Sequence, residues 1–219
     1  MSALPPAALM SGSSAPLHVV QRQLDAKEFR RCMEKSLEPG IAQDLRGVVV
    51  YDQVDLTDTK VGNIDLTGAH FKSPVVASRS IWLGMAWLKQ CVFEGGVDFT
   101  ASKFANDACF DGSYFRGNAV FSRSQISGQF VLDQAIFEGP AYLDKLELLA
   151  NLSLSGTVFR DVASFEESEC MGGLWGNGVR FEGRANARGM EVHGRLWLVG
   201  ASAPAPVLGQ VTSYGYCWS

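Results

Sequence analysis

The chain has 219 residues, 47% hydrophobic and 19% charged, with a formal net charge of −4. That length allows one domain with a long continuous core, and the mild acidity argues against a general nucleic-acid binder, which needs a basic stripe to displace phosphate counterions. The five cysteines at 32, 91, 109, 170 and 217 form no CxxC pair and no ligand spacing with the histidines at 18, 70 and 193, so reduced thiols, a cytoplasmic setting, no metal site and no cofactor are expected.

The opening "MSALPPAALMSGSSAP" has no basic segment followed by an unbroken apolar run. It reads as a flexible tail over 1–22 rather than a signal peptide. No stretch approaches about 18 consecutive apolar residues, so no membrane span is expected. Next, "LDAKEFRRCMEKSL" places Phe29, Cys32, Met33 and Leu37 on one side of a helix, with Asp25 as N-cap and Pro39-Gly40 beyond its end. Residues 23–48 therefore read as a capping helix and its connection.

From 49 to 199 the chain repeats. Phe occurs at 93, 99, 104, 110, 115 and 121, alternately six and five residues apart, a beat that fits neither a 3.6-residue helix nor simple strand alternation. Written in elevens from Phe71, the consensus is F-x-G-x-A-x-F-x-x-S-x. About 27 units run from Val54 to Leu198, and 11 of the 13 Phe residues fall on unit centres. Each centre has a small or apolar residue two positions earlier, such as Ala69 before Phe71 and Ala108 before Phe110. On an extended chain both point to one face. The six-residue units mostly carry Gly at their third place (Gly84, Gly95, Gly117, Gly128, Gly139, Gly172, Gly183, Gly194), where a corner with positive φ is expected.

"VDLTD", "IDLTG" and "ACFDG" match the pentapeptide-repeat signature A-[DN]-L-x-x and its Phe-centred variant. Over about two thirds of its length the chain resembles that family. The resemblance implies an all-β fold, a right-handed quadrilateral parallel β-helix with one unit per side. The alternating fives and sixes depart from the family's pattern and predict a coil of two elevens instead of four fives. Upstream, plain fives run through Leu56, Val61, Leu66 and Phe71. Seven coils at about 4.8 Å give a rod about 30–35 Å long.

Coils of two elevens stack outward residues in columns. Lys72, Glu94, Arg116, Glu138, Arg160 and Glu182 alternate in sign, as a register-fixing ladder would. Trp87, Cys109, Val131, Ser153, Trp175 and Trp197 form an apolar column; Val92, Tyr114, Ile136 and Val158 form another. Contiguous outward apolar residues predict a partner or dimer surface, or coverage by the protein's own tails. A fourth column ends in Glu147, Glu169 and Glu191, with Asp144 and Glu166 near it in sequence, and reads as an acidic stripe.

The repeat falters at "CMGGLWGNGV", where Cys170 and Gly176 replace large centres. Either Leu174 fills the gap or the coil bulges, which would leave a pocket near 170–177. Residues 200–219 abandon the pattern, and two prolines argue against a central strand; this stretch reads as a cap or tail.

No catalytic constellation stands out. His70 and His193 lie in different columns, and "GGLWGNG" lacks the ending of a phosphate loop. Cys109 points outward without a basic neighbour in its own unit. The expectation is a non-catalytic scaffold binding a protein partner or a second copy through its apolar and acidic columns. The resemblance implies one alternative: members of the family bind type II topoisomerases such as DNA gyrase as duplex mimics, protecting them from gyrase poisons. The other alternative is an enzyme with its pocket near 170–177.

Overall fold

A computed structural model describes residues 22–38, 42–202 and 210–218. Residues 1–21 of the tail expected over 1–22, the Pro39-Gly40 stop and the prolines at 204 and 206 lie outside the described residues.

Nearly every repeat unit contributes a two-residue strand, and the chain visits four sheets in turn. The first face holds eight strands, from Gln23–Leu24 and Val49–Val50 through His70–Phe71 to Arg180–Phe181. The second runs from Val54–Asp55 to Ala185–Asn186, the third from Lys60–Val61 to Val211–Ser213, and the fourth from Gln43–Asp44 to Cys217–Trp218. Strands pair in parallel throughout. The result is a four-sided parallel β-solenoid of about eight turns with one short N-terminal helix.

Register confirms the coil length. Val92 pairs with Tyr114, Tyr114 with Ile136 and Ile136 with Val158, each two elevens further on. The first coil is shorter by one position, Val49 pairing with His70 and Val54 with Val75. The solenoid also exceeds the predicted seven coils. Gln23–Leu24 and Gln43–Asp44 extend it at one end. At the other, Val211–Ser213 and Cys217–Trp218 resume the ladder beyond the prolines.

The core is a stack of centres. On the first face Phe71, Phe93, Phe115, Phe137, Phe159 and Phe181 lie nearly parallel, with centroids 4.5–5.2 Å apart. Strand spacing and ring stacking distance coincide, so each coil seats its ring on the last. The residues two positions before the centres are also buried, and the consensus Ser is one of them. Ser102 Oγ donates to Ala77 O at 2.7 Å, Ser113 Oγ to Leu88 O at 2.6 Å and Ser124 Oγ to Phe99 O at 2.7 Å. Each hydroxyl satisfies a carbonyl of the preceding coil, so these buried hydroxyls are paired.

The corners differ from expectation. A residue with positive φ recurs every eleven positions from Gly68 to Gly200, in the five-residue units; besides Gly these positions hold Arg79, Gln90, Ala101 and Lys145, among others. The glycines of the six-residue units serve another purpose. A Cβ on Gly183 would lie 2.3 Å from Asp161 O, in the backbone of the coil below. At these corners Gly permits close approach between coils, not a left-handed turn.

The helix, Ala26–Lys35, is capped as expected. Asp25 Oδ1 accepts the Glu28 N–H at 2.7 Å, and Glu28 Oε2 accepts the Asp25 N–H at 3.3 Å, a capping box. Phe29 and Met33 are buried over the first coil, Phe29 meeting Phe71 edge to face at 5.5 Å. Cys32 is half-buried and Leu37 is exposed, so the apolar side is narrower than its sequence implied. The helix end is seated by Ser36, whose buried Oγ accepts the Gly62 N–H at 2.7 Å.

The faltering coil does not bulge. Glu169–Cys170 and Leu174–Trp175 hold register with both neighbours. Leu174, Val179 and Leu198 close over Gly176. A cavity of about 40 Å³ remains beside them, lined only by apolar side chains including Phe165, Phe181 and Ala187.

Candidate functional site

The outward residue of each strand is set by parity, so four columns face away from the core. On the first face the charge ladder forms at every step except Arg116–Glu138, which makes no ion pair. Glu94 accepts from Lys72 Nζ at 3.2 Å and from Arg116 at 2.7 Å, and Arg160 bridges Glu138 at 2.5 Å and Glu182 at 3.7 Å. His70 Nε2 also lies 2.9 Å from Glu94 Oε1. Hydrogen bonds from Arg116, His70 and Lys72 hold the Glu94 carboxyl down at about 2.

On that face Val92, Tyr114 and Ile136 are partly exposed. Val158 is not: it is buried, so this column offers less surface than expected. Tyr114 is also engaged, its hydroxyl donating to Glu138 at 2.8 Å.

The fourth face carries the larger aromatic surface. Trp87 stands 36% exposed and is followed by Cys109, Val131 and Ser153. Cys109 keeps its place in the column but is buried there, and burial pushes its thiol pKa up, so it adds no exposed thiol to this surface. Beyond Ser153 the column becomes Trp175, Trp197 and Trp218. Trp175 stacks on Trp197 at 6.1 Å, and Trp197 lies against Trp218 at 4.9 Å with the planes tilted by 36°. Tyr216 lies 5.8 Å from Trp218 and is 75% exposed, and Arg195 sits 6.0 Å from the Trp218 ring. In the sequence Trp218 and Tyr216 read as part of a capping or dimerising tail and not as members of this column, because they follow the proline segment. The signal that finds them is the step of one coil, short by one position, from Trp197 to Trp218.

The acidic set divides. Glu147, Glu169 and Glu191 are in register on the third face. Asp144 and Glu166 lie after the second-face strands Ala141–Tyr142 and Ala163–Ser164 and are locally satisfied. Asp144 accepts the Glu166 N–H at 2.9 Å, and Glu166 pairs with Arg188, which lowers its carboxyl pKa. The continuous negative run is thus three residues over two coil steps, about 10 Å. Its first partner is Gln125, whose amide donates to Glu147 at 2.7 Å.

His193 joins this column. Its Nε2 lies 2.9 Å from Glu169 Oε1 and 3.7 Å from Glu191 Oε2. The sequence places His193 beside a centre without linking it to Glu169, which lies one coil and two positions earlier.

Among the described residues no helix is long and apolar enough to cross a membrane. No family model matches the chain, and no curated protein matches it.

Proposed function

We propose that this chain is a non-catalytic β-solenoid scaffold that engages protein through the aromatic end of its fourth face, with a second copy of itself as the partner. The observation that carries this reading is the ladder Trp175, Trp197 and Trp218, which runs onto the last described strand of its sheet with Tyr216 beside it. Large aromatic side chains clustered at an exposed edge are the usual anchors of interfaces. An outermost strand also offers unpaired backbone groups. A second copy brings the same aromatic edge, so a two-fold contact is self-complementary. Trp87, Val131 and the Val92–Tyr114–Ile136 patch then extend the surface available to a further protein. The four-sided solenoid and the "IDLTG"-type units support placing the chain with pentapeptide-repeat proteins. In size-exclusion chromatography, Trp218→Ser combined with Tyr216→Ser should shift the protein to a smaller apparent size. Unchanged elution would sink the dimer reading.

The duplex-mimic reading has one observation in its favour, the in-register carboxylates of Glu147, Glu169 and Glu191. A gyrase supercoiling assay with and without a quinolone tests it: protection lost on reversing these three to Lys would support it, and no effect would remove it. An enzyme site near 170–177 has less support, because the cavity there is small and lined only by apolar groups. A cytoplasmic location fits the scattered cysteines, of which Cys91, Cys109 and Cys170 are buried.

A further inference from the structure

We propose that Glu169, Glu191 and His193 form a binding site for a divalent transition cation of the Zn²⁺ class on the third face of the solenoid. Glu169 and Glu191 are the outward residues of adjacent strands in register. His193 follows the second strand, and its backbone N–H donates to Cys170 O at 2.9 Å, which fixes where the side chain departs. The imidazole Nε2 lies 2.9 Å from one carboxylate oxygen and 3.7 Å from the other. All three donor atoms fall within 4.8 Å of one another. Zn–N and Zn–O bonds of about 2.0–2.2 Å at tetrahedral angles put ligand atoms about 3.3–3.5 Å apart, so the two distances bracket what one ion requires.

The ligands are also oriented from behind. The Tyr214 ring lies against the His193 imidazole, with centroids 4.9 Å apart and planes 21° from parallel. The Tyr214 hydroxyl reaches Glu191 Oε2 at 3.5 Å. Outer contacts of this kind fix ring orientation in metal sites. The solvent side remains open for water to complete the coordination.

A second His–Glu pair in the same molecule shows why this one is not simply an ion pair. His70 and Glu94 make the same 2.9 Å contact on the first face, but Glu94 also takes Lys72 and Arg116. Its charge is answered by protein cations. On the third face Glu147, Glu169 and Glu191 follow one another with no Lys or Arg between them, an arrangement that like-charge repulsion disfavours. Elsewhere residues one coil apart pair by opposite sign, as Lys145 does with Glu167 at 3.0 Å and Arg79 with Asp58 at 2.7 Å. Here one imidazole faces two carboxylates. A dication held by two carboxylates and a neutral imidazole is electrically balanced, and an imidazole in the donor set favours Zn²⁺ and its neighbours over Mg²⁺ or Ca²⁺.

The test is isothermal titration of Zn²⁺ into the full chain carrying Cys217→Ser, which removes the exposed thiol as a competing ligand. One Zn²⁺ per chain is expected, with no competition from excess Mg²⁺. His193→Ala and Glu169→Gln should each weaken binding by at least about tenfold, and Tyr214→Leu by about 10–100-fold as an orienting contact. His70→Ala should leave it unchanged. Far-UV circular dichroism of each variant verifies the fold, and Co²⁺ substitution supplies an independent readout through the visible absorption of a tetrahedral site. Absence of Zn²⁺ uptake overturns the proposal. So does uptake that survives in both His193→Ala and Glu169→Gln.

Discussion

Phe115 and Phe137 stack with ring centroids 4.5 Å apart and planes 1° from parallel, at the middle of a six-ring column. Both are fully buried. Removing either ring opens a cavity between two coils that cannot close without breaking strand register. Phe137→Ala is expected to lower unfolding free energy by about 3–5 kcal/mol in a urea titration. A loss under about 1 kcal/mol would mean that the stack is looser than its geometry.

The two kinds of corner glycine should respond differently to the same substitution. Gly178 has φ +62° and open space where a Cβ would go, so Gly178→Ala meets only left-handed strain of about 1–2 kcal/mol. Gly183→Ala drives a Cβ to 2.3 Å from the Asp161 carbonyl and should destabilise more. Equal losses in thermal unfolding would contradict the assignment of close approach to the six-residue corners.

The cavity near Gly176 is an opportunity for stabilisation. Ala187 lines it, and about 40 Å³ accommodates the extra carbons of valine. Ala187→Val should raise stability by about 0.5–2 kcal/mol, as cavity-filling changes commonly do. A fall in Tm would show the space to be already spoken for.

Part of the acid sensitivity should trace to Glu94. Its carboxyl titrates at about 2, below the ordinary 4.5, because Arg116, His70 and Lys72 hydrogen-bond the charged form. A depressed pKa stabilises the folded state at pH above the ordinary value. That contribution is lost as pH falls from 4.5 through 2. Glu94→Gln should flatten the stability profile in that window, and a ¹³C-detected titration of Glu94 should give a midpoint near the lower value.

The interior was legible in the sequence for a physical reason. A four-sided core takes about one apolar side chain per side, so a Phe or another apolar residue returns at most centres, and the phase holds through the middle coils. The corners were less legible. Left-handed positions hold Arg79, Gln90 and Ala101 as well as glycine, since two strained residues per coil are tolerated where the stack fixes the backbone. The charge ladder could be read because its partners stand one coil apart on one face. The Glu169–His193 contact could not, because it crosses a coil diagonally. Burial of Val158 and Cys109 also escaped the reading, since parity shows direction but not what neighbouring side chains cover.

Self-association through the Trp218 edge is the central functional claim. Sedimentation velocity of the full chain over a concentration series from submicromolar to high micromolar tests it directly. A monomer–dimer shift with rising concentration is expected, and it should disappear in the Trp218→Ser, Tyr216→Ser variant. A single monomeric species across the whole range would contradict it.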